Sequence, residues 1–126
     1  MPAIDPAKAK VKTTYAHPGT MYALCADPSG KRLYAGSDDY GIHVFDLDAA
    51  KKEPVAKWAK HDNYVSALVA LARSGKTLVV SGSYDRSLLW WDTAKGEGLR
   101  AMPAHDGWVR DLAALPDQGF LLPLVG

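Results

Sequence analysis

The sequence predicts an all-β chain built from a unit repeated along it, and three observations predict it. His17, His61 and His105 recur every 44 residues in a chain of 126. A fixed period of roughly 20–50 residues marks a repeat architecture and outranks local structural preference. Short apolar runs follow each His, with turn residues between them, and strands spaced by about 8–12 residues in this way indicate all-β structure. The same short motifs then recur in the same order: Gly36-Ser37-Asp38-Asp39 and Gly82-Ser83-Tyr84-Asp85, followed by Phe45-Asp46 and Trp91-Asp92.

Taken in order, residues 1–10 hold two Pro and spaced Lys residues and read as a leader or linker. Val11–Tyr15 is a possible short strand, and His17-Pro18-Gly19 is turn chemistry. Met21–Ala26 is an unbroken apolar run, the pattern of a strand covered on both faces. Asp27-Pro28-Ser29-Gly30 makes a hairpin turn in which Gly supplies positive φ. Arg32–Ala35 and Ile42–Phe45 are the next strands, and Asp48–Glu53 is a charged loop. Pro54–Trp58 reads as an edge strand, because Pro at the start of an outer strand gives up an N–H at little cost.

The second period repeats this layout. Tyr64–Leu71 is its inner strand, Ser74-Gly75-Lys76 a turn, and Thr77–Ser81 and Leu88–Trp91 the next strands. Lys95–Gly98 is a loop and Leu99–Pro103 a short outer strand. In the third period Trp108–Leu115 is an inner strand and Pro116–Gly119 a turn. Pro123 cannot donate to a ladder, so it weakens the strand that follows or pushes it to an edge. Gly126 aligns with Gly36 and Gly82, and the turn Asp that should follow lies past the last residue.

On these motifs the chain resembles the Trp-Asp (WD) repeat family of β-propellers. That family repeats a Gly-His pair, a Ser-Pro-Asp-Gly-like turn, a Gly-Ser-x-Asp turn and a Trp-Asp end. Here the Gly of the first pair is replaced, giving Ala16-His17, Lys60-His61 and Ala104-His105. The resemblance runs from about residue 11 to the end, with repeats at about 11–46, 54–92 and 99–126, the last incomplete. It implies one outer strand, two four-stranded blades and half of a third, an incomplete ring in one chain. Propellers close with about 4–8 blades, so the expectation is either a segment of a longer propeller or copies that join their blades as a homo-oligomer.

Composition excludes some functions. Fifteen basic and 14 acidic residues leave a net charge of +1, without the basic footprint of a nucleic-acid binder. No apolar run reaches the ~18 residues of a membrane span, and the first residues lack the apolar centre of a secretory signal. The one cysteine, Cys25, cannot close an internal disulfide, which is compatible with a reducing compartment and a cytoplasmic protein. Cys25 sits in an apolar strand and reads as a small buried hydrophobe. The four His are too scattered for metal-ligand spacing, His43 reads as a surface residue, and no Gly-rich phosphate loop is present. Neither cofactor nor metal is expected.

His61, Ser81, Asp85 and Trp91 form the sharpest constellation. The resemblance implies a buried hydrogen-bonded tetrad, and a buried His does need its ring nitrogens satisfied. The alternative is a hydrolase in which Ser81, His61 and Asp85 act as nucleophile, base and orienter, although no nucleophile-elbow pattern surrounds Ser81. In the first repeat the tetrad is reduced to His17 and Asp39, with Ala35 and Phe45 in the other two places. His105 lacks its Asp within the chain and is expected to be unsatisfied, exposed or served by another chain.

The resemblance also places a partner-binding rim at Thr20, Tyr22, Asp38, Tyr64, Ser66, Tyr84, Trp108 and Arg110. Four aromatics and an Arg match the composition of an interaction hot spot. The alternative is that these rings cap the blade ends against each other. The function expected is therefore a protein-interaction scaffold, not an enzyme, that displays an aromatic rim to a protein or peptide. A structural role, with further copies of the chain as its partner, is the runner-up.

Overall fold

Each apolar run is followed by a tight turn, so the cheapest way to satisfy the backbone is to pair each strand antiparallel with the one before it. The computed structural model describes residues 7, 14–15, 19–73, 75–103, 108–115 and 120–125. Strands β1 (Met21–Ala26), β2 (Arg32–Ser37), β3 (Gly41–Asp46) and β4 (Ala56–Ala59) form one antiparallel sheet in that order. A second sheet repeats the order with β5 (Val65–Arg73), β6 (Lys76–Ser83), β7 (Ser87–Asp92) and β8 (Glu97–Pro103). A third pairs β9 (Val109–Leu115) with β10 (Phe120–Val125), and Pro123 sits opposite Leu112. The fold is all-β, as expected. Of the expected leader only Ala7 is described, and of the expected strand Val11–Tyr15 only Thr14 and Tyr15 are, neither in a strand.

The sheets stack face to face, and the sequence of the middle sheet shows why. Successive side chains on a strand point to opposite faces. Val79, Leu89 and Trp91 join Tyr34, Ile42, Val44 and Trp58 in a core between the first and second sheets. Their chain neighbours Val80 and Leu88 turn the other way, to Val109 and Leu112 of the third. A strand that feeds two cores must be apolar at consecutive positions, which is why β6 and β7 carry adjacent apolar residues at Val79-Val80 and Leu88-Leu89. Trp91 stacks on Trp58 across the first interface, with ring centroids 5.5 Å apart.

Met21–Ala26 departs from the expectation of cover on both faces. Ala23 and Cys25 pack against the first core, while Tyr22 and Leu24 are exposed. The second sheet covers only one face of β1. Burial pushes the Cys25 thiol up to about 12, with Asp27 adding to the effect, so it is an inert hydrophobe.

The inner strands carry an irregularity that the period conceals. Register passes from Met21↔Ser37 to Ala23↔Gly36, from Val65↔Ser83 to Ala67↔Gly82, and from Val109↔Val125 to Asp111↔Leu124. Tyr22, Ser66 and Arg110 are thus the extra residues of three equivalent β-bulges, which flip the side-chain alternation at the end of each inner strand. Beside the first two bulges, neighbouring sheets approach closely. A methyl group on Gly36 would lie 2.5 Å from the Val65 carbonyl oxygen and 2.7 Å from its Cγ1. The same group on Gly82 would overlap Cγ1 of Val109.

Gly82→Ala is expected to lower stability by about 1–3 kcal/mol through overpacking, read as a drop in the urea midpoint. Adding Val109→Ala should cost less than the two single changes predict together, because it removes the atom that clashes.

Candidate functional site

Two arrangements sit at the end of the blades where the bulges lie, one sealed and one open. The sealed one joins four segments of the second repeat. His61 precedes β5, Ser81 lies on β6, Asp85 in the β6–β7 turn and Trp91 on β7. An indole can only donate and a carboxylate only accept, so the direction of the chain is set from both ends. Trp91 Nε1–H donates to Ser81 Oγ at 2.8 Å. Ser81 donates to His61 Nε2 at 2.6 Å, and His61 Nδ1–H donates to Asp85 Oδ2 at 2.8 Å. Asp85 also accepts from the backbone N–H of Asp62 at 3.0 Å and of Ser87 at 2.9 Å, and from the Ser87 hydroxyl at 2.6 Å. Burial works to raise the Asp85 pKa, but these donors outweigh it and hold the carboxyl well below the usual range.

The connectivity from Ser81 through His61 to Asp85 is that of a nucleophile, base and orienter, but access decides against that use. Ser81 is 0% exposed and its oxygen already takes the Trp91 N–H. A substrate carbonyl has no approach to it, so the hydrolase reading of these three residues is set aside.

The first repeat is wired differently. Ala35 and Phe45 occupy the places of Ser81 and Trp91, and Asp39 is held by residues of its own blade. Asp39 accepts from His43 Nε2 at 2.8 Å, from Lys57 Nζ at 3.2 Å and from the Gly41 N–H at 3.0 Å. Burial opposes these donors, yet they draw its pKa down to about 2. His43 was expected at the surface and is instead buried. It sits on β3 between β2 and β4, aligned with Ala35 and Lys57, and turns toward the Asp39 turn. His17 and His105 lie outside the described residues.

The open arrangement is a cluster of rings. Tyr22 and Tyr64 stack with centroids 5.1 Å apart and planes 18° apart. Tyr84 lies 5.7 Å from Tyr64 and 6.5 Å from Tyr22, and stacks on Trp108 at 4.5 Å and 15°. Tyr22 is 46% exposed and Trp108 45%, so the rings contact one another and still face solvent. The backbone fixes them: Asp38 N–H donates to the Thr20 carbonyl at 3.0 Å, and Tyr84 N–H to that of Tyr64 at 3.1 Å. Thr20 is exposed. Ser66 is only partly available, because its hydroxyl donates to the Val109 carbonyl of the next blade. Of Arg110 only the backbone is described.

One ring was not anticipated. Tyr40, 44% exposed, lies 6.1 Å from Tyr64 and extends the cluster to five rings. It occupies the left-handed region at φ 71°, as Arg86 does at φ 72° in the matching turn. The rim positions taken from the resemblance stop before the turn Asp, so they passed over the residue just after it.

Other chemistries find little support among the described residues. No group of three or more His, Cys, Asp or Glu is placed to hold a metal ion. No helix is long and apolar enough to cross a membrane.

Stacked four-stranded sheets with this repeated turn geometry define a propeller segment of the WD type. The family model described as WD domain, G-beta repeat matches residues 8–46 and 52–92, and the chain belongs to that family. It is 37% identical over 102 residues to nuclear distribution protein PAC1 of Arthroderma otae, and equally to that of Trichophyton verrucosum. Each match covers 75% of this chain and 22% of the relative. It is 28% identical over 123 residues to nuclear distribution protein nudF of Aspergillus terreus, covering 81% of this chain and 27% of that protein. The chain thus spans about a quarter of the length of the curated relatives it matches.

Ser81→Ala should be among the most costly single changes in the second blade. It strands the Trp91 N–H and a His61 nitrogen in a dry site, at about 2–4 kcal/mol by equilibrium unfolding. Stability should also depend on acid. Asp85 and Asp39 have folded pKa values below the unfolded value of about 3.9, so their contribution is present above roughly pH 4 and is lost as pH falls toward 2. Urea unfolding over that range should show this slope, and Asp85→Asn should flatten it.

Proposed function

We propose that this chain is a protein-interaction scaffold whose working surface is the aromatic cluster Tyr22, Tyr40, Tyr64, Tyr84 and Trp108. The observation that carries the reading is that Tyr22, Tyr40 and Trp108 stay solvent-exposed, and Tyr64 and Tyr84 only half-buried, although an apolar interior lies beside them. Large rings with few rotatable bonds give contact area at low entropic cost, and Tyr and Trp dominate interaction hot spots. The rim sits on strand ends and tight turns held by backbone hydrogen bonds, so binding would not have to order it first.

Membership of the WD family supports a role in holding other proteins. The likeness to nuclear distribution proteins supports placing the chain as a segment of a protein of that kind. We place it in the cytoplasm, a reading supported by the free, buried-side Cys25 on β1.

The test is a selection of random linear peptides displayed on phage against the chain, followed by binding to the double variant Tyr64→Ala with Trp108→Ala. Selected peptides should lose at least about tenfold in affinity, while the unfolding free energy in urea falls by no more than about 2 kcal/mol, since Trp108 is exposed and Tyr64 half-buried. Unfolding of the variant would mean that the rings cap the blades. Undiminished binding would place the interaction surface elsewhere.

A further inference from the structure

Asp38 stands apart from the other turn carboxylates. Asp39 is engaged by His43 and Lys57, and Asp85 by His61. The Asp38 side chain takes only a long hydrogen bond from Ser37 Oγ, 3.3 Å, and has no cationic partner among the described residues. Its N–H is tied to the Thr20 carbonyl, two residues before the bulged Tyr22, so the turn and the bulge hold the carboxylate beside the ring cluster. Partial withdrawal from water raises the Tyr22 phenol pKa, and Tyr64, Asp38 and Tyr84 each push it the same way. The charge over this part of the rim is that of the Asp38 carboxylate. An uncompensated carboxylate next to electron-rich ring faces suits a cation brought by a partner.

The ring geometry selects the kind of cation. A compact ammonium is best held by rings set as walls around it. Here Tyr22 and Tyr64 lie within 18° of parallel and Tyr84 and Trp108 within 15°, while Tyr40 and Tyr84 tilt 51° and 48° from Tyr64, so the flat face on offer is that of the Tyr22–Tyr64 pair. Parallel plates continue naturally into another flat group, and a guanidinium is planar, stacks on aromatic faces and pairs with a carboxylate through a two-pronged fork. We propose that the rim takes an arginine side chain of a protein partner, stacked on the Tyr22–Tyr64 pair with its fork on Asp38. This rests on the scaffold reading above and narrows it to one anchoring residue.

The same phage-displayed random peptides provide the probe, selected in parallel on the chain and on Asp38→Asn, which keeps the size of the side chain. Arginine should be enriched in the peptides recovered on the chain and not in those recovered on the variant. One recovered peptide is then synthesised with its arginine replaced by lysine or by citrulline, the uncharged isostere. Each replacement should weaken binding by about tenfold or more, and on Asp38→Asn the arginine and citrulline peptides should bind alike. Lysine binding as well as arginine overturns the proposal, as does citrulline binding as well as arginine on the unaltered chain. Peptides that need Tyr64 and Trp108 but carry no arginine would sink this proposal and leave the scaffold reading standing. Peptides indifferent to Tyr64 and Trp108 would sink both. A thermal melt of Asp38→Asn matching that of the unaltered chain keeps loss of binding separate from loss of fold.

Discussion

Val65 against Gly36, and Val109 against Gly82, set the distance at which each blade meets the next. A side chain larger than hydrogen at either glycine would push against the inner strand of the following sheet. Other features depend on that distance. It lets the Ser66 hydroxyl reach the Val109 carbonyl across the gap, and brings Tyr22 of one blade onto Tyr64 of the next. At the opposite end, the Arg32 guanidinium reaches the Thr93 carbonyl, and Thr77 adds a hydrogen bond to Asp27, which also accepts from Tyr34. The first interface is apolar in the middle, closed by the Tyr22–Tyr64 stack at the rim and by polar groups at the opposite end, and the second is tied at the rim by Ser66.

Much of this was legible in the residues. The spacing of His17, His61 and His105 and the two Gly-Ser turns placed nine of the ten strands found among the described residues to within a few residues, because hydrophobic alternation and turn chemistry are local signals. What escaped was not local. The bulges at Tyr22, Ser66 and Arg110 leave no mark on composition, since any residue can be the extra one. The burial of His43 depends on Asp39 and on a lysine of the neighbouring strand, a pairing that only the register reveals. The exposure of Leu24 depends on which face the next sheet covers, and an unbroken apolar run does not state that. Tyr40 joins the rings by a backbone conformation unusual for an aromatic residue, outside the positions the resemblance names.

The two complete blades solve one problem by different chemistry. Both must anchor the turn that presents the rim, and both do so through a carboxylate that accepts several donors. In the second blade the donors run inward from Asp85 through His61 and Ser81 to Trp91, so the turn is bound to the core between blades. In the first, Asp39 is held sideways by His43 and Lys57 along the sheet, and Ala35 and Phe45 fill the interior without polar atoms. Replacing both members of a buried polar pair by apolar groups of fitting shape is nearly neutral, which is how the shorter arrangement persists beside the longer one.

Blade 2 alone, among the described residues, has a packed neighbour on each face. In stacked repeats each unit draws its stability from its nearest neighbours, so order spreads from a unit with two and frays from a unit with one. Among the described residues, the backbone amides of β6 and β7 should then be the last to open. The rings of the rim straddle that gradient. Tyr64 and Tyr84 are rooted in the part that opens last, and Tyr22 in a strand that opens sooner, so a partner gripping all of them would act as a brace across blades of unequal lifetime.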